Sequence, residues 1–187
     1  MAGPSRKGVY AEVMATHTAI PLEEYLRTYY DPDMEYVDGQ LVERHVGEYF
    51  HGLLQLLLGS ELRLRARERR FRAFAETRVK INDRPRYRIP DLSVMPLPHE
   101  VTSVLTQPHL VIEIVSPDDE ASELLQKIAD YAEAGIPYVW IVDPYKRTVM
   151  EAGQGTVRPV ESLHTSTPLV GEIDFNELFA QLDEPAE

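Results

Sequence analysis

Apolar residues recur at helical spacing at Val46, Tyr49, Phe50, Leu53, Leu54 and Leu57, which predicts a long helix from about Val46 to Arg67. Upstream, Glu35-Tyr36-Val37 and Gln40-Leu41-Val42 flank Asp38-Gly39, the pattern of a β-hairpin closed by a two-residue turn. Pro21-Leu22-Glu23-Glu24-Tyr25-Leu26 predicts a short helix, with proline in its first turn and acids at the positive end of its dipole. Residues 1–19 carry no period and read as a flexible N-terminal arm, which leaves 20–187 as one domain. Beyond the long helix the period shortens. Strands are predicted at Phe71–Ile81 and Arg88–Met95, around the polar turn Asn82-Asp83-Arg84-Pro85. Leu110–Val115 is apolar except for Glu113, as in a central strand covered on both faces. Ser116-Pro117-Asp118-Asp119 offers a helix start, and that helix runs to Ala134 before Gly135 stops it. Tyr138–Val142 reads as a second buried strand with Trp140 in the core, Thr148–Glu151 and Thr156–Val160 as a closing hairpin, and Phe175–Leu182 as a terminal helix. This order predicts an α/β domain built on one mixed central sheet flanked by helices.

Composition narrows the classes. The chain has 187 residues, 43% hydrophobic and 27% charged, enough to bury a core. It has no cysteine, which removes disulfides, thiolate metal sites and cysteine nucleophiles. No apolar run is long enough to span a membrane, and Arg6 and Lys7 are not followed by the apolar stretch of a signal peptide, so a cytoplasmic protein is expected. The net charge of -12 argues against a general nucleic-acid binder. Its distribution is uneven, however: residues 63–88 hold 11 bases against three acids, whereas the rest holds 8 bases against 28 acids. That basic belt suits a phosphate-tracking surface, and equally a solvated helix end beside an arginine-protected strand edge.

Glu113 is the anomaly of the pattern. Alternation puts it on one face of its strand with Val111 and Val115, where an ionised carboxylate needs compensation by an arginine or by a divalent cation. Asp91 is the second acid of interest, because an apolar strand begins immediately after Pro90-Asp91. Two neighbouring carboxylates repel, and a cation lets both stay ionised. Lys127 borders the apolar stripe formed by Leu124, Leu125, Ile128 and Tyr131, where it either snorkels to solvent or serves a nearby site. His51, at the margin of the long helix, reads as an ordinary helix histidine or as a proton-handling neighbour of a site. His17, His45, His99, His109 and His164 show no metal-ligand spacing. Lys80 reads as surface charge in an arginine-rich stretch.

Taken in order, Glu35-Tyr36-Val37-Asp38-Gly39-Gln40-Leu41-Val42, Pro90-Asp91, Glu113-Ile114-Val115-Ser116-Pro117, Lys127, Tyr131 and Ala134–Pro144 resemble the Putative restriction endonuclease family of bacteria, within the PD-(D/E)XK nuclease superfamily. The likeness spans about residues 20–152. It implies a restriction-endonuclease-like fold with Mg²⁺, or Mn²⁺, held by Asp91 and Glu113 and often by the carbonyl at Ile114. It further implies metal-assisted hydrolysis of DNA phosphodiesters, with Lys127 as catalytic lysine and Glu35 as an auxiliary acid. The superfamily's lysine would stand at Val115, and a lysine moved onto the following helix is usual in this family. The family often has a histidine near His51. A homodimer, one copy per DNA strand, agrees with the habits of the superfamily. A binding module that keeps the fold without the chemistry is the alternative.

Overall fold

The computed structural model describes residues 19–44, 47–82, 84–153 and 156–183. The expected N-terminal arm and His17 and His45 lie outside these, apart from Ala19. In chain order the elements are α1 (Leu22–Arg27), β1 (Met34–Val37), β2 (Gln40–Glu43), α2 (Tyr49–Arg69), β3 (Phe71–Ala75), β4 (Val79–Lys80), β5 (Arg86–Arg88) and β6 (Leu92–Pro96). There follow β7 (Leu105–Thr106), β8 (Leu110–Ile114), α3 (Ala121–Glu133), β9 (Tyr138–Asp143), β10 (Thr148–Gly153), β11 (Thr156–Pro159), β12 (His164–Thr167), β13 (Gly171–Asp174) and α4 (Phe175–Leu182).

A six-stranded mixed sheet, β11-β10-β9-β8-β6-β3, is the centre. Its β8 and β9 are parallel and joined through α3, and its other pairs are antiparallel. Alternation sorts its side chains. Leu110, Ile112, Ile114, Trp140 and Val142 face one side and pack with Leu54, Leu58 and Leu62 of α2 and with Phe175 and Leu178 of α4. Val111, Val139 and Ile141 face the other side and pack with Tyr131 of α3 and Ile136. Both faces are therefore covered, which is why β8 and β9 read as continuous apolar runs. Trp140 is 1% exposed, in the core where its pattern puts it; cutting it to alanine costs about 3–5 kcal/mol by core-deletion precedent.

The single sheet expected from the pattern is in fact three. A second, five-stranded sheet runs β2-β1-β5-β4-β7, and β12 pairs with β13 alone. The expected strand Phe71–Ile81 divides between the two larger sheets because Glu76 takes a left-handed φ of 45°. Arg88–Met95 divides likewise at Ile89-Pro90-Asp91, where proline lacks the N–H that a continuing ladder would use. The entry hairpin is as its sequence demands: Val37 pairs with Gln40, and Asp38 and Gly39 turn at φ 51° and 92°. Helix α3 starts at Ala121, not at Pro117, and α4 spans the residues expected.

The basic belt is reduced to one stretch. Arg86 and Arg88 are buried in ion pairs, Arg65 pairs with Glu61, and Arg78 lies 4.5 Å over the Tyr25 ring. Arg63, Arg67, Arg69, Arg70 and Arg72 remain exposed along the end of α2 and the start of β3. Among the described residues no helix is long and apolar enough to cross a membrane.

Candidate active site

Strands β6 and β8 run antiparallel with Leu92 opposite Ile112 and Ser93 opposite Val111. Continuing that register by one residue sets Asp91 opposite Glu113, and opposed residues project on the same face. The 22-residue separation in sequence thus becomes one rung of a ladder. Asp91 is fastened there by its own Oδ2, which accepts the Ile114 N–H at 2.6 Å.

Both carboxylates are enclosed, at 2% exposed for Asp91 and 4% for Glu113, and each is answered by side chains from a helix. On α3, one turn apart, Lys127 Nζ reaches Glu113 Oε2 at 3.1 Å and the Tyr131 hydroxyl donates to Glu113 Oε1. On α2, also one turn apart, His51 Nε2 lies 3.3 Å from Asp91 Oδ1, and Gln55 donates to the Asp91 carbonyl at 3.1 Å. Gly47 makes room for this arrangement, since a Cβ there would stand 2.5 Å from His51 Nδ1. The loop after β2 contributes Arg44, whose Nη2 reaches Asp91 Oδ1 at 2.7 Å.

Glu35 arrives by the same ladder logic in the second sheet. Tyr36 pairs with Tyr87 and Val37 with Arg86, so the next rung sets Glu35 against Arg88. Arg88 Nη1 reaches Glu35 Oε2 at 2.7 Å, and the Ile89 N–H donates to Glu35 Oε1 at 2.9 Å. Arg88 also binds Asp130 of α3, through Nε at 2.7 Å, and Arg86 binds the same carboxylate. All five sequence-selected residues, Glu35, His51, Asp91, Glu113 and Lys127, line one cleft of about 240 Å³ together with Arg44. Lys80 and the other described histidines do not line it.

The charges are unevenly balanced. Asp91 is buried, which opposes ionisation, but the hydrogen bond and charge of His51, the Arg44 guanidinium and the Ile114 N–H hold it below the usual carboxylate range. His51 is correspondingly raised, its burial outweighed by Asp91. Glu113 moves the other way. Burial raises it, and although Lys127 and the Tyr131 hydroxyl pull it down, Asp91 and Glu35 push it up. Lys127 is raised as well: burial opposes its charge, but three carboxylates surround it. The lining of the cleft carries surplus negative charge: Glu35, Glu43, Asp91, Glu113, Asp119 and Glu123 stand against Arg44, Arg88, Lys127 and His51.

That surplus, in an all-oxygen donor set, fits a hard divalent cation with two protein carboxylates and the balance from water or substrate. Among the described residues no group of three or more His, Asp or Glu side chains forms a metal cluster, so the side chains offered to a cation would be the two carboxylates. Sequence reasoning passed over Arg44, Tyr131 as a hydrogen-bond donor, and the Arg86–Arg88–Asp130 set. Tyr131 carries a helical-spacing signal, since it stands four residues after Lys127; Arg44 carries none.

The fold matches the crystal structure of a putative nuclease belonging to DUF820 from Anabaena variabilis with a TM-score of 0.76, at 24% identity over 87% of this chain and 99% of that one. The chain belongs to the Uma2 family, described as Putative restriction endonuclease, whose model matches residues 22–182. No curated protein matches it.

Proposed function

We propose that the chain is a divalent-metal-dependent endonuclease that hydrolyses phosphodiester bonds in DNA, with Asp91 and Glu113 holding Mg²⁺ or Mn²⁺. The observation that carries this reading is the same-face pair Asp91 and Glu113, one rung of the sheet, with Lys127 on one of its oxygens. When bound, the cation supplies Lewis-acid polarisation of a phosphate oxygen and lowers the pKa of a water. The protein's own part follows from its contacts. Asp91, fixed by the Ile114 N–H, keeps one oxygen directed away from the backbone. Lys127 keeps its proton because carboxylates surround it, so it serves as a cation that orients water or steadies charge gathering on the phosphate. His51, on Asp91, is placed to hold or pass a proton at Nε2. Glu35 adds negative charge near Lys127 and Glu113 while Arg88 holds it in place.

Reaching both strands of a duplex calls for two such sites, and a homodimer is the simplest arrangement that supplies them; light scattering on the purified chain checks it. The alternative of a binding module has one observation in its favour: every oxygen of Asp91 and Glu113 already has a donor within the protein. Calorimetric titration of Mg²⁺ and Mn²⁺ into the wild type and Glu113→Gln, beside a cleavage assay on duplex DNA, separates the two. Uptake and cleavage that both vanish in the variant support the nuclease. Neither uptake nor cleavage in the wild type, with duplex DNA present, leaves the binding module.

A further inference from the structure

Asp91 is satisfied twice over on one side. Its Oδ2 belongs to the sheet, because it accepts the Ile114 N–H at 2.6 Å. Its Oδ1 is shared by two nitrogen donors, Arg44 at 2.7 Å and His51 at 3.3 Å. A cation that Asp91 holds through Oδ1, which already carries two donors, displaces one of them.

They are not held equally. His51 rides on α2, and Gln55 one turn later ties the same helix face to the Asp91 carbonyl at 3.1 Å. Arg44 stands one residue past the end of β2 and outside any helix or strand. It also has a second anion in reach, since its Nη1 lies 3.6 Å from Glu76 Oε1, and Glu76 is exposed. The guanidinium is thus the donor that can leave Asp91 without stranding its charge. It lines the same cleft as Glu113 and Lys127. A planar guanidinium bound to a carboxylate has the geometry to bind a phosphate instead.

We infer that Arg44 is an exchangeable positioning residue: it neutralises Asp91 while no metal is present, and on metal binding it moves to an oxygen of the substrate phosphodiester. This rests on the two-carboxylate reading of the site. In the resting state it keeps a buried carboxylate compensated. In the loaded state the repulsion between guanidinium and divalent cation drives it off Oδ1, and the phosphate is the anion that receives it. Metal and phosphodiester binding are then coupled through one side chain.

The test uses the full chain and two ligands. Mn²⁺ is titrated calorimetrically into the wild type, Arg44→Met and Glu113→Gln, and binding of a labelled 20-base-pair duplex is measured by anisotropy with Ca²⁺ to avoid cleavage. Freed from competition for Oδ1, Arg44→Met is expected to bind Mn²⁺ about tenfold more tightly, the scale of one charged hydrogen bond. Deprived of its clamp, it is expected to bind the duplex about tenfold more weakly. A merely structural arginine would weaken both, and a general surface charge would weaken the duplex alone; Arg70→Met, on the exposed end of α2, is the control for that. Mn²⁺ affinity unchanged or reduced in Arg44→Met, or duplex affinity unchanged, overturns the inference. If the wild type binds Mn²⁺ through Glu113 and Arg44→Met merely copies it, the metal site stands and only the role of Arg44 falls. If neither the wild type nor Arg44→Met takes up Mn²⁺, the two-carboxylate reading falls and the exchange with it.

Discussion

In and behind the cleft lie two pairs of buried acids that are satisfied in opposite ways. Glu35 and Asp130 are met chiefly by arginines from β5: Arg88 bridges both, Arg86 adds to Asp130, and Arg86 also reaches Asp38 in the hairpin turn. Gln126 and the Ile89 N–H complete the set. These donors do not titrate at ordinary pH, and the arginines among them come from a strand paired on both sides. Asp91 and Glu113 are met mainly by a loop arginine, a histidine, a lysine and a phenol. Of these, the loop arginine has a second anion in reach at Glu76, and the histidine is the group whose ordinary range lies near neutral pH. Equal burial therefore does not mean equal purpose. The first pair locks β1, β5 and α3 together, and the second keeps acids available.

If this contrast is right, the largest effect on stability lies away from the proposed chemistry. Asp130→Ala leaves buried Arg88 with Glu35 alone and buried Arg86 with Asp38 alone, and breaking such a set costs about 3–5 kcal/mol. Urea denaturation would show it, with hydrogen exchange of 34–43 rising as the hairpin loses its anchor. A loss below about 1 kcal/mol would erase the distinction between the pairs. Next in size is Tyr131→Phe. Its hydroxyl is the donor on Glu113 Oε1 and it is fully buried, so its removal should cost about 1–2 kcal/mol. Because that bond favours ionised Glu113, the cost should be greater at pH 8 than at pH 5. An equal cost at both would assign Tyr131 to packing alone.

Glu113→Gln should be milder still, below about 1 kcal/mol in the absence of metal, because two effects oppose. Glu113 is raised in the folded state, so ionising it there costs stability as pH climbs above its unfolded value, and glutamine removes that cost. Against this, Lys127 loses the anion it touches. A thermal-unfolding comparison at pH 8 checks the balance. Collapse of the fold would mean that Glu113 is a structural ion-pair member like Asp130.

How much of this was legible follows the range of each signal. The Asp-Gly hairpin, the stripe of α2 and the apolar runs of β8 and β9 are local patterns, and they appear within a few residues of expectation. Glu113 was visible because a lone acid in an apolar run violates its own pattern. The division into two sheets was not visible, since it depends on a left-handed residue at Glu76, where glycine would have given notice. Arg88 looked like part of a basic surface because its partners, Glu35 and Asp130, lie 53 and 42 residues away, and Arg86 did so because Asp130 lies 44 residues away. Arg44 had no signal, because its place on Asp91 is set by a loop and a partner 47 residues on.

The smallest prediction asks whether the two pairs differ in their response to pH. His51 is raised in the folded protein, burial being outweighed by its hydrogen bond and charge contact with Asp91, with Asp119 helping and Arg44 opposing. A raised histidine contributes stability in full below its unfolded value, near 6.5, and loses that contribution as pH rises through the folded value. As pH rises above about 6.5, the metal-free wild type should therefore lose a small increment of stability that belongs to His51. His51→Gln keeps a neutral donor on α2 without the titration, so its stability should be flatter over the same range. Asp130→Ala, which loses arginine contacts and leaves the histidine in place, should lower the whole curve. Urea denaturation in EDTA at half-unit steps reads all three proteins. If His51→Gln follows the wild-type slope, the histidine is neutral on Asp91 throughout, and the exchangeable character of that pair then rests on Arg44 and Lys127 alone.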